Sequence, residues 1–311
     1  MPARRLVRPA SRGKPPPVAS AASIASIRTA LLAWYRPRPH DYPWRRASPD
    51  PYAVLVSEVM LQQTQAARVA PAYVAFLVRF PDVRALSSAG RAEILRAWGG
   101  LGYPRRAMAL REAARAIVRN HGGHVPSDAE ELRALPGIGP YTAGAVASIA
   151  FGRPVAAVDT NVRRVMARLL HGEEPDDVPA ARLRADADAM VDPAHPGEWN
   201  QALMDLGRFV CRPAPRCEAC PLAAGCRFVR DGREARPSRG RPTPFEGSMR
   251  QARGRVLAEL RDRGGASLEE LASLTGMTVE RASAAASGLA HDGIVTLVPG
   301  ESPADTKARI D

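Results

Sequence analysis

Residues 135–145 read LPGIGPYTAGA. Gly137 and Gly139, two apart, permit backbone conformations that other residues adopt only at a cost. Pro140 suits the first position of a following helix, where its missing N–H loses nothing. Amides at such a turn and helix start can face outward and hold a phosphate. Ala143, Gly144, Ala145 and Ala147 carry so little side chain that a neighbouring helix can come close. An ordinary corner between two helices uses the same residue types, so the stretch alone leaves both readings open.

Outward from this corner, residues 23–228 read as mostly helical. Apolar residues recur near the 3.6-residue period, as in Val54, Leu55, Val59 and Leu61 and again in Trp199, Ala202, Leu203 and Leu206. Alternating strand-like patterns are scarce before residue 290. Residues 229–246 are polar, basic and rich in Pro and Gly, the composition of a linker. Residues 247–300 read as a small winged-helix-like module. It comprises a helix over 250–263, a capping box formed by Ser267 and Glu270 before a second helix, a turn at Gly276, a third helix over 278–291, and a strand-like IVTLVPG. Residues 301–311 are taken as a tail, and residues 1–22, rich in Arg and Pro, as a disordered basic one.

The chain has 311 residues and a formal net charge of +12, enough for two or three domains with a buried core. A chain this basic commonly meets a polyanion, and a phosphate backbone is the usual one. An Arg-rich genome gives the same balance; nearly every basic residue is Arg, with Lys14 and Lys307 the only lysines. No apolar run approaches the roughly 18 residues that span a bilayer, and no apolar signal core is evident, so a cytoplasmic, nucleoid-associated protein is expected.

Four cysteines, Cys211, Cys217, Cys220 and Cys226, are spaced C-x5-C-x2-C-x5-C. Thiols gathered in one short segment point to metal rather than to structural disulfides. Such a loop can wrap one iron–sulfur cluster, whereas structural zinc more often uses two CxxC knuckles set well apart. On the residues alone a compact iron–sulfur cluster, zinc and an empty site all stay open.

Two carboxylates stand out. In PYAVLVSEVMLQQTQ (51–65), a helix would place Glu58, Leu61, Gln62 and Gln65 on one face. Glu58 lies among apolar residues, where its pKa should rise and suit a general acid; a solvated Glu is the bland alternative. In VAAVDTNVRRVMARL (155–169), Asp159 follows an apolar run and precedes a helix, where a capping Asp is ordinary. A pair of carboxyl groups in different surroundings can, however, divide acid and anion duties.

Together these motifs resemble the MutY family of the helix-hairpin-helix, iron–sulfur DNA glycosylases, in a short form like that of actinobacterial members. SEVMLQQTQ is similar to the family's signature, and LPGIGPYTAGA to its hairpin. DYPWRR (41–46) resembles its LPWR segment, and WGGLGYPRRAMAL (98–110) its GLGYYxRAxxL element, with Pro104 in place of the second tyrosine. The cysteine loop resembles the family's cluster loop, with five residues in the first gap instead of the usual six. The resemblance covers about residues 28–228.

It implies an all-α fold: a six-helix barrel with the hairpin over 43–151, an iron–sulfur helical domain over 23–42 and 152–228, and the C-terminal module. It maps Glu58, Asp159, Tyr141 and Asn161 onto catalytic positions. Trp44, Leu61, Gln62, Tyr103, Gly137, Gly139 and Gln201 map onto DNA or base contacts, and the four cysteines onto a 4Fe–4S cluster. The implied substrate is double-stranded DNA with adenine opposite 8-oxoguanine or guanine, handled by a monomer. Endonuclease III shares the fold, but there a lysine nucleophile stands immediately before the hairpin threonine; here Tyr141 stands before Thr142. The competing readings are an endonuclease III-like enzyme for damaged pyrimidines and a non-catalytic DNA-binding protein on the same frame. Family members usually end in a Nudix-like domain, which the C-terminal sequence does not resemble.

Overall fold

Gly144 meets its neighbour so closely that a Cβ there would lie 2.4 Å from the carbonyl oxygen of Ala156. Its helix, α8 (Pro140–Phe151), starts as the sequence predicts, with Gly139 as N-cap and Pro140 in the first turn. In the computed structural model, which describes residues 21–38, 41–46, 48–236 and 244–310, α8 packs against α2 (Pro51–Leu61), α7 (Ala129–Arg133) and α11 (Pro196–Phe209).

One apolar core gathers residues from Trp44 to Phe151. It is built by α2, α3 (Ala66–Arg79), α4 (Val83–Ser88), α5 (Arg91–Trp98), α6 (Pro104–His121), α7 and α8. Buried residues run along almost the whole of α2, from Tyr52 to Met60. A helix apolar on all sides belongs at the centre of a bundle, and Glu58 is carried there with it. A second core joins α1 (Ala21–Tyr35) to α9 (Thr160–Met166), α10 (Ala180–Met190) and α11. α9 continues as a short π-helical stretch, Ala167–His171, under the cysteine segment and α12 (Arg227–Arg230).

A third core belongs to α13 (Met249–Arg263), α14 (Leu268–Thr275) and α15 (Val279–His291). The capping box of Ser267 and Glu270 is present, and Thr278 caps α15. The tail expected at 301–311 is a correction. Lys307–Arg309 is the central strand β3 of an antiparallel sheet, between β1 (Gly265–Ser267) and β2 (Thr296–Val298). Ala308 and Ile310 are buried, so the last turn of chain completes this core.

The expected linker over 229–246 is fastened at its start, where Arg233 pairs with Glu173 at 2.9 Å and Arg236 with Asp177 at 2.8 Å. Its residues 237–243, and residues 1–20 of the expected basic tail, lie outside the described residues. Among the described residues, no helix is long and apolar enough to cross a membrane.

Candidate active site

Glu58 is 6% exposed, and its Oε2 accepts a hydrogen bond from the Tyr141 hydroxyl at 2.9 Å. Burial pushes its pKa up to about 7; the Tyr141 bond and the charge of Arg45 oppose the rise, and Asp159 adds to it. The Tyr141 phenol is held well above its ordinary value, by burial first and then by the two carboxylates. Residues 83 apart in sequence thus meet because α2 and α8 are packed neighbours.

Asp159 caps α9. Its Oδ1 accepts from the Val162 amide at 2.7 Å and its Oδ2 from the Asn161 side chain at 2.9 Å. Burial raises its pKa, while these bonds and the Arg164 guanidinium pull it back. The approach to Asp159 is fixed by Asn200, which is wholly buried. Asn200 donates to Val155 O and Ser148 Oγ and accepts from Ala157 N, each at 2.9 Å. Every hydrogen-bonding direction on that buried amide but one is therefore used.

Arg164 extends the set. It donates to Asn161 Oδ1 at 2.8 Å and, through Nε, to the Cys211 carbonyl at 2.7 Å. One hydrogen-bonded path thus runs from the cysteine loop to Asp159. On the other side, Arg45 grips Asp205 in bidentate fashion at 2.9 and 3.0 Å and also donates to the Tyr35 hydroxyl at 2.6 Å. Tyr35 in turn donates to Gln201 at 2.8 Å. Sequence reading singled out Gln201 but missed Arg45, Tyr35, Asn200 and Arg164. Most of their partners lie far along the chain, as with Arg45 and Asp205 or Arg164 and Cys211, and only a basic residue next to Trp44 hinted at Arg45.

Other predicted residues fall in mixed places. Gln62 donates to Thr142 at 3.1 Å, joining the glutamine segment to the hairpin. The single-face reading of 58–65 is a correction: α2 ends at Leu61, Gln62 is its C-cap, Gln63 takes φ +55°, and Gln65 caps α3. The carbonyls of Val59, Met60 and Gln62 at this helix end accept from Arg106, which satisfies groups that a helix terminus leaves without partners. Leu61 packs against the first core.

Trp44 is 8% exposed, stacked on Tyr42 and edge-on to Tyr73; it is a core residue here, not a presented base contact. Tyr103, in contrast, is 46% exposed. Gly137 takes φ +75°, and a Cβ there would sit 2.5 Å from that of Ala109. Gly139 takes an extended conformation with open space about it. The hairpin turn therefore depends on Gly137. Beside it lies a cavity of about 210 Å3 lined by residues including Gln62, Arg105, Arg106 and Gly137.

Cys211, Cys220 and Cys226 pack against the edge of the second core, and Cys217 lies within reach of the Cys226 charge. Burial raises the thiol pKa of Cys211 and Cys217, and of Cys220 to about 11. Arg168, 2% exposed, brings Nη1 to 3.8 Å from Cys211 Sγ. Among the described residues, no three His, Cys, Asp or Glu side chains form a site for a single metal ion.

Fold and site together define a helix-hairpin-helix base-excision enzyme: residues 56–185 match the model of the HhH-GPD superfamily base excision DNA repair proteins. Among solved structures, the chain is similar to a thermostable thymine-DNA glycosylase, with TM-score 0.62 and 29% identity over 68% of this chain and 98% of that one. It is also similar to endonuclease III in a non-covalent DNA complex, with TM-score 0.56 and 26% identity over 67% and 97%. The chain belongs to the adenine DNA glycosylase family: it is 46% identical over 239 residues to the Mycobacterium tuberculosis adenine DNA glycosylase, covering 75% of this chain and 78% of that one. Identity to the human adenine DNA glycosylase is 45% over 217 residues, covering 66% of this chain and 40% of that longer one.

Proposed function

We propose that the chain is a monofunctional adenine DNA glycosylase of base excision repair that removes adenine opposite 8-oxoguanine or guanine from double-stranded DNA. The observation that carries this reading is a buried Glu58, pushed up to about 7 and hydrogen-bonded to Tyr141, with Asp159 near enough for its charge to act on Glu58 and itself held by donors. Two carboxyl groups whose surroundings set different protonation tendencies can divide acid and anion duties.

The hairpin grips backbone phosphate, Gln62 and Tyr103 enter the duplex, and adenine is turned out into the pocket. Glu58 gives its proton to the imidazole-ring nitrogen nearest the exocyclic amine. The glycosidic bond breaks, its electrons passing to the protonated base, and the sugar gains oxocarbenium character. Asp159 faces that positive charge as a carboxylate. Water adds to the sugar carbon and loses a proton, leaving an abasic site. Asn161 keeps Asp159 in place, and Gln201, steadied by Tyr35, contacts the base.

Cys211, Cys217, Cys220 and Cys226 are the residues that hold a 4Fe–4S cluster in this reading. The donor set fits: four thiols in one loop, with the buried Arg168, itself paired with Glu174 at 2.8 Å, beside Cys211. When bound, the cluster cross-links the loop and fixes the Cys211 backbone that Arg164 grips. Purified protein should be brown with about four irons per chain. Stoichiometric zinc with no iron would contradict the assignment.

The product separates this reading from an endonuclease III-like one. A lyase needs an amine that can form an imine with the sugar. Tyr141 offers a phenol, and nearby guanidiniums stay protonated. Lys307 lies exposed on β3 of the C-terminal module, outside the span of Glu58, Tyr141 and Asp159 in sequence. A labelled duplex with adenine opposite 8-oxoguanine should break only after alkali, and borohydride should trap no adduct. Strand breaks before alkali together with a trapped enzyme–DNA adduct would place the chain in the other class.

A further inference from the structure

Each carbonyl from Gly99 to Gly102, just before Tyr103, is held by a side chain. Arg261 of α13 donates to Gly99 O, and Arg68 of α3 to Gly100 O. Thr64 reaches Leu101 O at 3.5 Å. Arg106 and Trp98 Nε1 each donate to Gly102 O at 3.1 Å. The segment is one that tethers must hold. Gly99 and Gly102 take φ of +58° and +76°, and Tyr103, a residue with a side chain to clash, takes +49°. Left-handed backbone at such a residue persists only where surrounding structure over-determines it.

Three of the four carbonyls are held from within residues 51–151. The fourth, that of Gly99, is held by a residue from the C-terminal module. The module is docked there. Leu95 of α5, 1% exposed, belongs to the module's apolar core, with Ala92 and Met108 packed against it. Arg96 donates to Arg261 O at 3.4 Å, Arg91 to Gly293 O, and Asp292 takes both Arg253 and Arg105, the latter at 3.5 Å.

We propose that Arg261 is a positioning residue for Tyr103: through the Gly99 carbonyl, the C-terminal module sets the loop that presents this tyrosine to the duplex. The inference rests on the reading of Tyr103 as a group that enters DNA. The module's contribution to excision is then conformational, delivered through the back of the loop.

The test uses the full chain with Arg261→Ala, Arg261→Lys, Tyr103→Ala and the double variant. Amide hydrogen exchange across residues 99–103 of the free protein should speed up in Arg261→Ala while exchange in α2 and α8 is unchanged. Single-turnover adenine excision should fall about fivefold, the value of one net hydrogen bond of ~1 kcal/mol, and Arg261→Lys should restore part of it. In the Tyr103→Ala background, Arg261→Ala should cost nothing further, since both act through one side chain. Unchanged exchange at 99–103, or the same fivefold loss with Tyr103 already removed, would overturn the proposal. Should wild type itself release no adenine, the glycosylase reading fails, and the exchange measurement still decides whether Arg261 holds the loop.

Discussion

Glu58→Gln is expected to abolish adenine excision while leaving duplex binding intact. The amide matches the carboxyl in size and still offers an oxygen to the Tyr141 hydroxyl, now 2.9 Å from Oε2. What it lacks is the transferable proton. Losing a positioned general acid typically costs ~10²–10⁴-fold. The same residue sets the pH dependence. A general acid works only while protonated, and burial lifts Glu58 to about 7. Wild-type excision should therefore fall about tenfold per pH unit above that value, a descending limb absent from any residual activity of Glu58→Gln. A variant that excises at nearly the wild-type rate would remove Glu58 from the chemistry.

Asp159→Asn is expected to keep the fold and lose the reaction. Asparagine is as good an N-cap as aspartate, so α9 stays capped through the Val162 amide, with only the bond from Asn161 Nδ2 lost because an NH2 cannot accept it. The negative charge facing the developing oxocarbenium ion is gone. Losing one preorganised electrostatic contact of this kind costs on the order of 10²–10³-fold. Single-turnover excision, thermal melting and duplex binding should be measured together. Unchanged melting and binding with lost excision supports the assigned role. Full excision by the variant would reduce Asp159 to the helix cap that its sequence position alone suggests.

The hairpin, the cysteine loop and the buried acid were legible because each is local. Gly137 and Pro140 act on their own backbone, four thiols lie within one short segment, and the apolar neighbours of Glu58 adjoin it in sequence. The rest of the site depends on contacts that local patterns do not encode. Arg45 and Asp205 are 160 residues apart, and Tyr35 and Gln201 are 166 apart; nothing in either segment announces the other. The end of α2 was misread because the donor to its last carbonyls, Arg106 on α6, lies 46 and 47 residues away from them. The family resemblance gave Trp44 as a DNA or base contact; that two tyrosines pack against it depends on the fold and is not visible in the sequence. β3 escaped notice because three residues of strand leave almost no periodic signal, and its burial depends on partners at Gly265–Ser267 and Thr296–Val298.

The central claim is that Glu58 and Asp159 serve the hydrolytic removal of adenine. The most direct measurement is single-turnover release of free base from four duplexes: adenine opposite 8-oxoguanine, guanine or thymine, and cytosine opposite 8-oxoguanine. The account predicts release of adenine opposite 8-oxoguanine and guanine, with no release from the thymine-paired or cytosine-containing duplexes and no release by Glu58→Gln. Absence of adenine release from every duplex by iron-loaded wild type, or release that survives Glu58→Gln, would contradict it.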